Sequence, residues 1–359
     1  MVARSSGPLA GMRIVELDGS GAAAFACMML ADMGCDVVRI RSGGEDAAAI
    51  APALYRGRSE IILDLTLPEG RDHALALIAR ADGAIEGLAP GAAEALGLGP
   101  ERCLELNPML VYGRVCPWGR EGPLARTAGS DINQLALAGL LHACGPAAIP
   151  LPPLNLVAEF AGGALHLVIG MVAAILSAQA RGSGQVVESS HVDGVASLMT
   201  LQYTLLANGR WTDARASNFV DGGAPFYRCY VCSDGRHVAV GALDAPAFQA
   251  LCTGLGIRRA RLKQYDRRQW PAMEAILAHE FAQRGRDEWA AYFAGTGACV
   301  TPVLSLTEAP LHPQNQARGT FGEPSGGIQP MPTPRFSDTP SEAAEPEATT
   351  AAEILERWS

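Results

Sequence analysis

The sequence of 359 residues predicts an α/β fold built on a parallel sheet, and the first forty residues carry the main evidence. The apolar run RIVEL (13–17) is typical of a short buried strand, and the glycine-rich segment DGSGAAA follows it. AFACMMLADMG then has the composition of a helix that closes at Gly34, and CDVVRIR is the next strand. A strand, a helix and a second strand in this order predict a βαβ unit with parallel strands.

The same alternation continues and predicts the domain organisation. Further strands are expected at EIILDL, GAIEGL, MLVYGRV and QVVESS, and long apolar helices at 132–143, 160–181 and 192–207. We therefore expect a large Rossmann-like domain over 1–210. The hairpin pattern YRCYVCSDGRHVAVGAL predicts a smaller α+β domain over 225–310. Residues 311–359 are expected to form a Pro-, Glu- and Ser-rich strap whose last helix, TAAEILERW, returns to the large domain.

Composition argues against several classes of function. The net charge is −9 and no Lys/Arg block occurs, so nucleic-acid binding is not expected. The N-terminus lacks the apolar core of a signal peptide, and no apolar run predicts a membrane span. Nine cysteines in mostly apolar surroundings indicate reduced thiols and a cytoplasmic protein. Cys229 and Cys232 form a C-x-x-C without a second ligand pair, so no metal site is predicted.

The segment after the first strand satisfies the pattern G-x-G-x-x-A at Gly19, Gly21 and Ala24. Glycines in this context let a pyrophosphate approach a helix N-terminus. The second strand ends in Arg39 and Arg41 instead of an acidic residue, which suits a phosphate on a ribose, as in NADP or coenzyme A. A purely structural turn is the alternative.

Two segments supply candidate catalytic residues. Ser130, Asp131, Asn133 and Gln134 precede or begin an apolar helix, although Asp131 and Asn133 are also typical helix caps. Glu159 lies where a second loop becomes a helix, and it is a candidate general base or nucleophile. The alternative is a residue that only starts the helix. Two further residues, His142 and His166, are expected to be core histidines.

Segments along the whole chain resemble the family III CoA-transferase superfamily, and in particular its α-methylacyl-CoA racemase branch. The resemblance rests on GPLAGMRIVELDGSGAAAFACMMLADMGCDVVRI, ADGAIEGLAPGAAEALGLGPE, LPPLNLVAEFAGGAL, GSGQVVESSHVDG, WTDARASNFVDGGAPFY, DGRHVAVGAL, CVTPVL and QPMPTPRFS. It implies the interlocked-dimer fold of that family, with active sites between the large domain of one chain and the small domain of its partner. It also implies an acyl-CoA or another acyl thioester as substrate, no required cofactor, and enolate chemistry.

The sequence departs from the family's pattern at the positions that the resemblance makes catalytic. Ser130 stands where the family's G-H-D-I-N-Y loop has histidine, and Gln134, a candidate cofactor-binding residue, stands where it has tyrosine. Glu159 replaces the aspartate of G-D-F-G-G-G, and Asp244 stands where racemases tend to have glutamate. Because a serine hydroxyl is a very weak base, racemization by two bases is not expected.

The cationic contacts to CoA have changed as well. The family's E-x-x-R-P-G and E-R-L-G patterns place arginines where this chain has Ala89 and Ala95. The remaining candidates for phosphate contacts are Arg39, Arg41, Arg56 and Arg58.

Three functions follow. The first is an isomerase-type enzyme in which Glu159 is the main base and Asp131 or water assists. The second is a CoA-transferase in which Glu159 attacks the thioester. The third is a non-catalytic homologue that binds an acyl ligand. The carrier of the acyl group is CoA, the arm of a carrier protein, or neither of these.

Overall fold

The structure is a computed structural model that describes residues 6–17, 19, 21–43, 47–258, 262–324 and 327–359. Two residues of the glycine-rich segment, Asp18 and Ser20, lie outside the described residues.

The strands form three sheets and are listed here in chain order. They are β1 (Arg13–Leu17), β2 (Asp36–Arg41), β3 (Arg58–Ile62), β4 (Gly83–Glu86), β5 (Val111–Cys116), β6 (Gln185–Ser190), β7 (Tyr227–Val231), β8 (His237–Gly241), β9 (Val300–Pro302), β10 (Phe321–Gly322), β11 (Gln329–Pro330) and β12 (Glu347–Ala348).

The helices are listed in the same way. They are α1 (Gly21–Asp32), α2 (Ala47–Ile50), α3 (Pro68–Ile78), α4 (Ala92–Ala95), α5 (Pro100–Leu106), α6 (Asp131–Leu137), α7 (Leu140–Ala143), α8 (His166–Arg181), α9 (His191–Leu198), α10 (Thr200–Ala207), α11 (Ala245–Gly254), α12 (Trp270–Phe281), α13 (Arg286–Phe293), α14 (Pro313–Arg318) and α15 (Ala351–Arg357). A π-helix, Leu156–Leu165, precedes α8, and 3₁₀ turns occupy Pro52–Tyr55, Arg267–Gln269 and Ala309–Leu311.

The main sheet is parallel and has the Rossmann strand order. Its strands lie in the order β12-β3-β2-β1-β4-β5-β6, and all neighbouring strands run parallel. The predicted α/β class is therefore confirmed. The strand order reverses between β1 and β4, and ligands of such sheets bind beyond the carboxyl ends of the strands at this switch point.

Both faces of the main sheet are covered, as a parallel sheet requires. On one face α1 and α8 bury apolar side chains such as Leu30, Leu167 and Met171. On the other face the core includes Leu77 of α3 and Trp358, which follows α15. The sheet is thus wound on both sides, and its hydrophobic core fixes the loops at its carboxyl edge.

The chain forms two compact units. Unit 1 consists of 1–138, 154–198 and 313–359, and unit 2 of 139–153 and 199–312. Unit 2 contains the antiparallel sheet β7-β8-β9, which packs with α11, α12 and α13 around an aromatic core. These bounds differ from the ranges expected from the sequence, because unit 2 also takes in 139–153 and 199–224.

The terminal segment of the chain belongs to unit 1. β12 pairs in parallel with β3, so it adds a strand at the edge of the main sheet. Arg357 donates to Asp36 Oδ1 at 2.5 Å, and Trp358 Nε1 donates to Asp36 Oδ2 at 2.7 Å. These contacts tie the end of the chain to the start of β2.

The long helices differ from their predicted bounds. The helix expected over 132–143 is two short helices, α6 and α7, because Gly139 adopts a left-handed conformation with φ of 83°. The helix expected over 192–207 is likewise divided into α9 and α10. Glycine tolerates positive φ without a steric penalty, which explains why the chain turns at Gly139.

The π-helix and α8 form one continuous helical run, Leu156–Arg181, which begins earlier than expected. It has 26 residues and a mean hydropathy of 2.0 over its most apolar window, so by length and composition alone it could cross a membrane. In the structure 44% of that window is buried, and α8 packs on β5 and β6 in the core of unit 1. Packing in the core accounts for the buried part of this run, whereas Ile169 and Leu176 of α8 are exposed.

Candidate active site

The carboxylate of Glu159 lies in unit 1 at the N-terminus of α1. A Cβ atom added at Gly21, the first residue of α1, would lie 2.7 Å from Glu159 Oε1. Helix α1 follows β1, one of the two strands between which the strand order reverses. The start of a helix suits a negatively charged group, because the backbone N–H groups there point outward along the helix dipole.

Two further contacts support the position of Glu159. Asn155 Nδ2 donates to Glu159 Oε2 at 3.0 Å. The next residue, Phe160, stacks on Phe25 of α1 with ring centroids 4.9 Å apart. Glu159 is half-buried, so its carboxylate is held from one side by the protein and remains accessible on the other.

Asp131 holds the backbone of the same segment. Its Oδ1 accepts hydrogen bonds from the N–H groups of Ala158 and Glu159 at 2.9 and 2.7 Å. Asp131 itself lies in the first turn of α6, but its carboxylate caps the start of the π-helix. Its Oδ2 is buried and has no hydrogen-bond partner among the residues described. Asp131 therefore positions Glu159, and its second oxygen remains an open acceptor.

We expect Asp131→Ala to lower the free energy of unfolding by about 2 kcal/mol, because two N–H groups lose their acceptor in a partly buried place. Urea denaturation measures this change. Asp213→Ala is the control, since Asp213 is exposed and its loss is expected to change stability by less than about 0.5 kcal/mol. Equal stability of Asp131→Ala and the parent protein would show that the helix start does not depend on this carboxylate.

Ser130 and Asn133 form the start of α6. Asn133 Oδ1 accepts from the backbone N–H of Ser130 at 2.9 Å, and the Asn133 N–H donates to the Ser130 carbonyl at 2.8 Å. The Ser130 side chain is exposed. Helix capping, which the sequence left open for Asn133, is the role that the structure shows. Ser130 itself adds a hydroxyl next to Asp131 but no base.

Gln134 is fully buried, and the sequence alone did not reveal this. Both atoms of its side-chain amide lack a hydrogen-bond partner among the described residues, as does the buried Nε1 of Trp118. A Cβ atom added at Gly129 would lie 2.7 Å from Gln134 Nε2 and 2.5 Å from the Trp118 ring. The three residues thus pack closely beneath the loop, and the predicted contact of Gln134 with a cofactor stays a prediction.

His191, at the start of α9, is a neighbour of the site that sequence reasoning missed. A Cβ atom added at Gly163 would lie 2.4 Å from the His191 ring, so the ring fills the space that this glycine leaves. Burial lowers the pKa of His191 to about 4, and the ring is therefore neutral at pH 7. Gly162 also faces α9, since a Cβ on Gly194 would lie 2.0 Å from its carbonyl oxygen. The close packing of the π-helix on α9 explains why this segment is rich in glycine.

Protein atoms lie close to Gly19 and Gly21, the two described glycines of this segment. Gly21 faces Glu159, and a Cβ atom added at Gly19 would lie 2.7 Å from the backbone of Gly87, which follows β4. The loops on both sides of the switch point therefore touch through their backbones. This packing favours the structural alternative for the G-x-G-x-x-A pattern, and the phosphate contact at Gly19 and Gly21 stays a prediction.

The four candidate arginines are paired with carboxylates of unit 1. Arg39 is buried, and it and Arg41 each contact Glu60 at 2.8 Å. Arg56 contacts Asp32 at 2.6 Å, and Arg58 contacts Glu16 at 3.0 Å. Burial raises the pKa of Asp32, although Arg56 acts in the opposite direction. Breaking a buried ion pair costs several kcal/mol, so Arg56 and Arg58 are poor candidates for moving onto a ligand.

Two predicted residues lie in unit 2. Asp244 accepts from the backbone N–H of Ala247 at 2.7 Å and thereby caps α11. His142 was expected in a core, and this expectation is wrong: its side chain is 54% exposed and contacts Asp213 at 3.3 Å. The short helix α7 presents it to solvent. His166, by contrast, is partly buried and its Nδ1 lies 2.9 Å from the carbonyl oxygen of Ala161.

The described part of the chain contains no cluster of metal ligands. No three His, Cys, Asp or Glu side chains lie close enough together there to hold an ion. Cys229 is exposed while Cys232 is buried, so the two thiols of the C-x-x-C segment do not share one environment.

The sequence pattern described as CoA-transferase family III matches residues 9–349. The chain belongs to CoA-transferase family III. It is 40% identical to the α-methylacyl-CoA racemase of Mus musculus over 93% of this chain and 87% of that protein. It is 25% identical to the succinyl-CoA:glutarate CoA-transferase of Homo sapiens over 94% of this chain and 82% of that protein.

Solved structures agree with this assignment. A CAIB/BAIF family protein from Brucella suis superposes with a TM-score of 0.84 at 25% sequence identity, covering 99% of this chain and 100% of that one. The predicted family and its Rossmann-like fold are therefore confirmed. The family contains both racemases and transferases, so membership alone does not decide the reaction of this chain.

Proposed function

We propose that this family III chain is an isomerase-type enzyme that moves a proton on an acyl thioester, with Glu159 as its main base. The observation that carries the proposal is the position of Glu159: Gly21, Asn155 and the backbone contacts of Asp131 fix one carboxylate at the switch point. The similarity to an α-methylacyl-CoA racemase supports an acyl-CoA thioester as substrate. The proposed reaction requires no cofactor.

Glu159 would take a proton from the carbon next to the thioester carbonyl. The C–H bond breaks, the proton passes to the carboxylate, and the electron pair moves onto the carbonyl oxygen as an enolate. Where the acyl chain has a β,γ double bond, the enolate is conjugated with it, and return of the proton from Glu159 to the γ carbon on the same face moves the double bond to the α,β position. Delivery from the other face, by Asp131 or water, gives slow epimerization.

The loop opposite supports one base instead of two. Ser130 occupies the position at which the family pattern has histidine, and GSDINQ contains no His, Lys or Arg. His191 is buried, and its ring fills the space that Gly163 leaves, so it is enclosed by the protein. A mechanism with Glu159 alone therefore fits the described residues better than symmetric racemization.

Deuterium exchange tests the proposal. The full chain is incubated in D₂O with a 2-methylacyl-CoA, and mass spectrometry and NMR report how much deuterium enters and at which carbon. We expect enzyme-dependent uptake at the α carbon, and also at the γ carbon when the acyl-CoA is β,γ-unsaturated. A protein that leaves every carbon of several acyl-CoA thioesters undeuterated does not carry out this chemistry.

CoA transfer is the second candidate, and the similarity to a succinyl-CoA:glutarate CoA-transferase supports it. In that reaction a Glu159 oxygen attacks the thioester carbon, the CoA thiolate leaves, and a mixed anhydride forms. The thiolate then attacks the glutamyl carbonyl, which releases the carboxylic acid and leaves a glutamyl–CoA thioester. A peptide containing Glu159 that carries the mass of CoA would support transfer, whereas deuterium uptake on an unmodified protein supports isomerization. A chain that binds acyl thioesters and does neither would be a binding homologue.

We further propose that the chain acts as the interlocked homodimer that the family resemblance implies. Large apolar side chains are exposed on α8, where Ile169 and Leu176 are 68% and 63% exposed and lie two turns apart on one face. A second copy of the chain is a suitable cover for this face. Light scattering on the purified protein tests the proposal, and a monomer at micromolar concentration would contradict it.

A further inference from the structure

The π-helix that carries Glu159 is a rare kind of element, and side chains as well as backbone bonds hold it. In a π-helix each carbonyl accepts from the N–H five positions ahead, whereas in an α-helix the separation is four positions. Turns of this kind occur frequently at functional sites. We infer that His166 is a positioning residue, whose ring fixes the junction between the π-helix and α8 and thereby sets the direction of Glu159. The inference rests on the proposed function, because it concerns the base of that reaction.

The junction lies at His166, the first residue of α8. Continuation of the π pattern would pair the backbone N–H of His166 with the carbonyl of Ala161, five positions back. Instead this N–H donates to the Gly163 carbonyl, and Nδ1 of the His166 ring lies 2.9 Å from the Ala161 oxygen. A carbonyl oxygen only accepts hydrogen bonds, so Nδ1 carries the hydrogen. The ring thus bonds the carbonyl that the backbone leaves where the π-helix ends.

Contacts from two other elements hold the rest of the π-helix. At its start, Asp131 accepts from the backbone N–H of Glu159 at 2.7 Å. Near its end, Ser189 Oγ of β6 donates to the Gly163 carbonyl at 2.8 Å. The Gly163 carbonyl therefore has two donors, one from Ser189 and one from the backbone of His166. The Ala161 carbonyl depends on the His166 ring, which makes this ring the sensitive point of the junction.

A change at the junction would turn Glu159 about the helix axis. Helix α8 is fixed, because Leu167 and Met171 are buried in the core of unit 1. Each residue of an α-helix turns the chain by about 100°, since about 3.6 residues make one turn. A π turn contains one residue more than an α turn, so its conversion to an α turn rotates the preceding residues by roughly this angle. Such a rotation moves the Glu159 carboxylate away from Gly21 at the N-terminus of α1.

Two contacts oppose this rotation and limit its extent. They are the bond between Asp131 and the Glu159 N–H and the stack of Phe160 on Phe25. Loss of the His166 ring is therefore expected to displace the Glu159 carboxylate by about 1 Å and not to turn it fully. A misplacement of about 1 Å in an active site can cost about 100-fold in rate.

Two variants of nearly the same shape test the role of His166. Asparagine and leucine branch alike at Cγ, and asparagine Nδ2 is separated from the backbone by as many bonds as histidine Nδ1. His166→Leu removes the donor, and we expect kcat for deuterium exchange on a 2-methylacyl-CoA to fall by about tenfold to 100-fold. KM should stay within about twofold of the parent value, because the thioester loses no contact. His166→Asn keeps the donor and should restore kcat to within about threefold of the parent.

The controls separate positioning from stability. His279 is an exposed histidine of α12 in unit 2, and His279→Leu should leave both kcat and KM unchanged. A lower unfolding temperature of His166→Leu together with the parent's kcat would show a structural role alone and overturn the inference. Equal kcat values of His166→Leu and His166→Asn would overturn it as well. If His166→Leu does not fold, His166→Gln replaces it, because its donor lies one bond farther from the backbone and should also lower kcat.

A crystal structure of His166→Leu, or of His166→Gln in its place, distinguishes this inference from the proposed function. We expect the Glu159 carboxylate to have moved from its place over Gly21. A displaced Glu159, together with a parent protein that exchanges no deuterium, would refute the proposed function alone. Deuterium exchange by the parent, with Glu159 unmoved and kcat unchanged in the variant, would refute the positioning role of His166 alone.

Discussion

Glu159→Gln is expected to reduce deuterium exchange on the thioester by at least about 100-fold, since a positioned general base typically contributes about 10²–10⁴ in rate. A carboxamide has nearly the shape of the carboxylate but cannot take the proton. Its oxygen can still accept the hydrogen bond from Asn155 Nδ2, and its size suits the space over Gly21. The fold is therefore expected to remain intact while the exchange is lost.

Two further variants make this result specific. Glu101→Gln changes an exposed glutamate of α5 in the same way and should exchange at the parent rate. Glu159→Asp keeps a carboxylate but withdraws it by about one C–C bond, roughly 1.5 Å, so an intermediate rate is expected. If Glu159→Gln exchanges as fast as the parent, Glu159 only starts the π-helix, and Asp131 becomes the candidate base.

Much of the fold was predictable because its evidence is local. The strand–helix–strand order of the first forty residues fixes parallel pairing, and the structure has β1, α1 and β2 where the sequence predicts them. Helix breaks were less predictable: the apolar run over 132–143 has a helical composition throughout. Only the positive φ at Gly139 divides this run into two helices. A glycine within a helical pattern can either continue the helix or end it, so the sequence alone does not show the break.

The candidate site was predictable as a set of residue types but not as a set of contacts. Asp131 and Glu159 were singled out, yet no local pattern shows that Asp131 caps the backbone of Glu159, 28 positions along the chain. The arginines illustrate the same limit. Arg56 pairs with Asp32 across 24 positions, and only tertiary packing brings these charges together. An arginine that the sequence suggests as a phosphate ligand is therefore already paired with a carboxylate in the structure.

Ser130→His is expected to increase deuterium exchange by roughly tenfold to 100-fold, because it adds an imidazole to the loop that holds Asp131. Imidazole has a reference pKa of about 6.5 and is mostly a free base at pH 7, unlike a serine hydroxyl. The Ser130 side chain is exposed, so a larger residue can be accommodated, and Asn133 continues to accept from the backbone N–H. The gain should appear as the pH rises through about 6.5 and vanish well below it, where the imidazole is protonated.

The single substitution is a cleaner test than one combined with Gln134→Tyr. Gln134 is fully buried beside Trp118 and Gly129, and a tyrosine there would overpack the loop at a cost of about 1–3 kcal/mol.

Two control variants accompany Ser130→His. Ser130→Asn controls for the change of cap, because asparagine caps helices well but is not a base. Thr127→His places an imidazole on an exposed residue of the same loop and should leave the exchange rate unchanged. A folded Ser130→His protein with the parent's rate and pH profile would show that this loop does not face the reacting carbon, and the one-base mechanism would then rest on Glu159 alone.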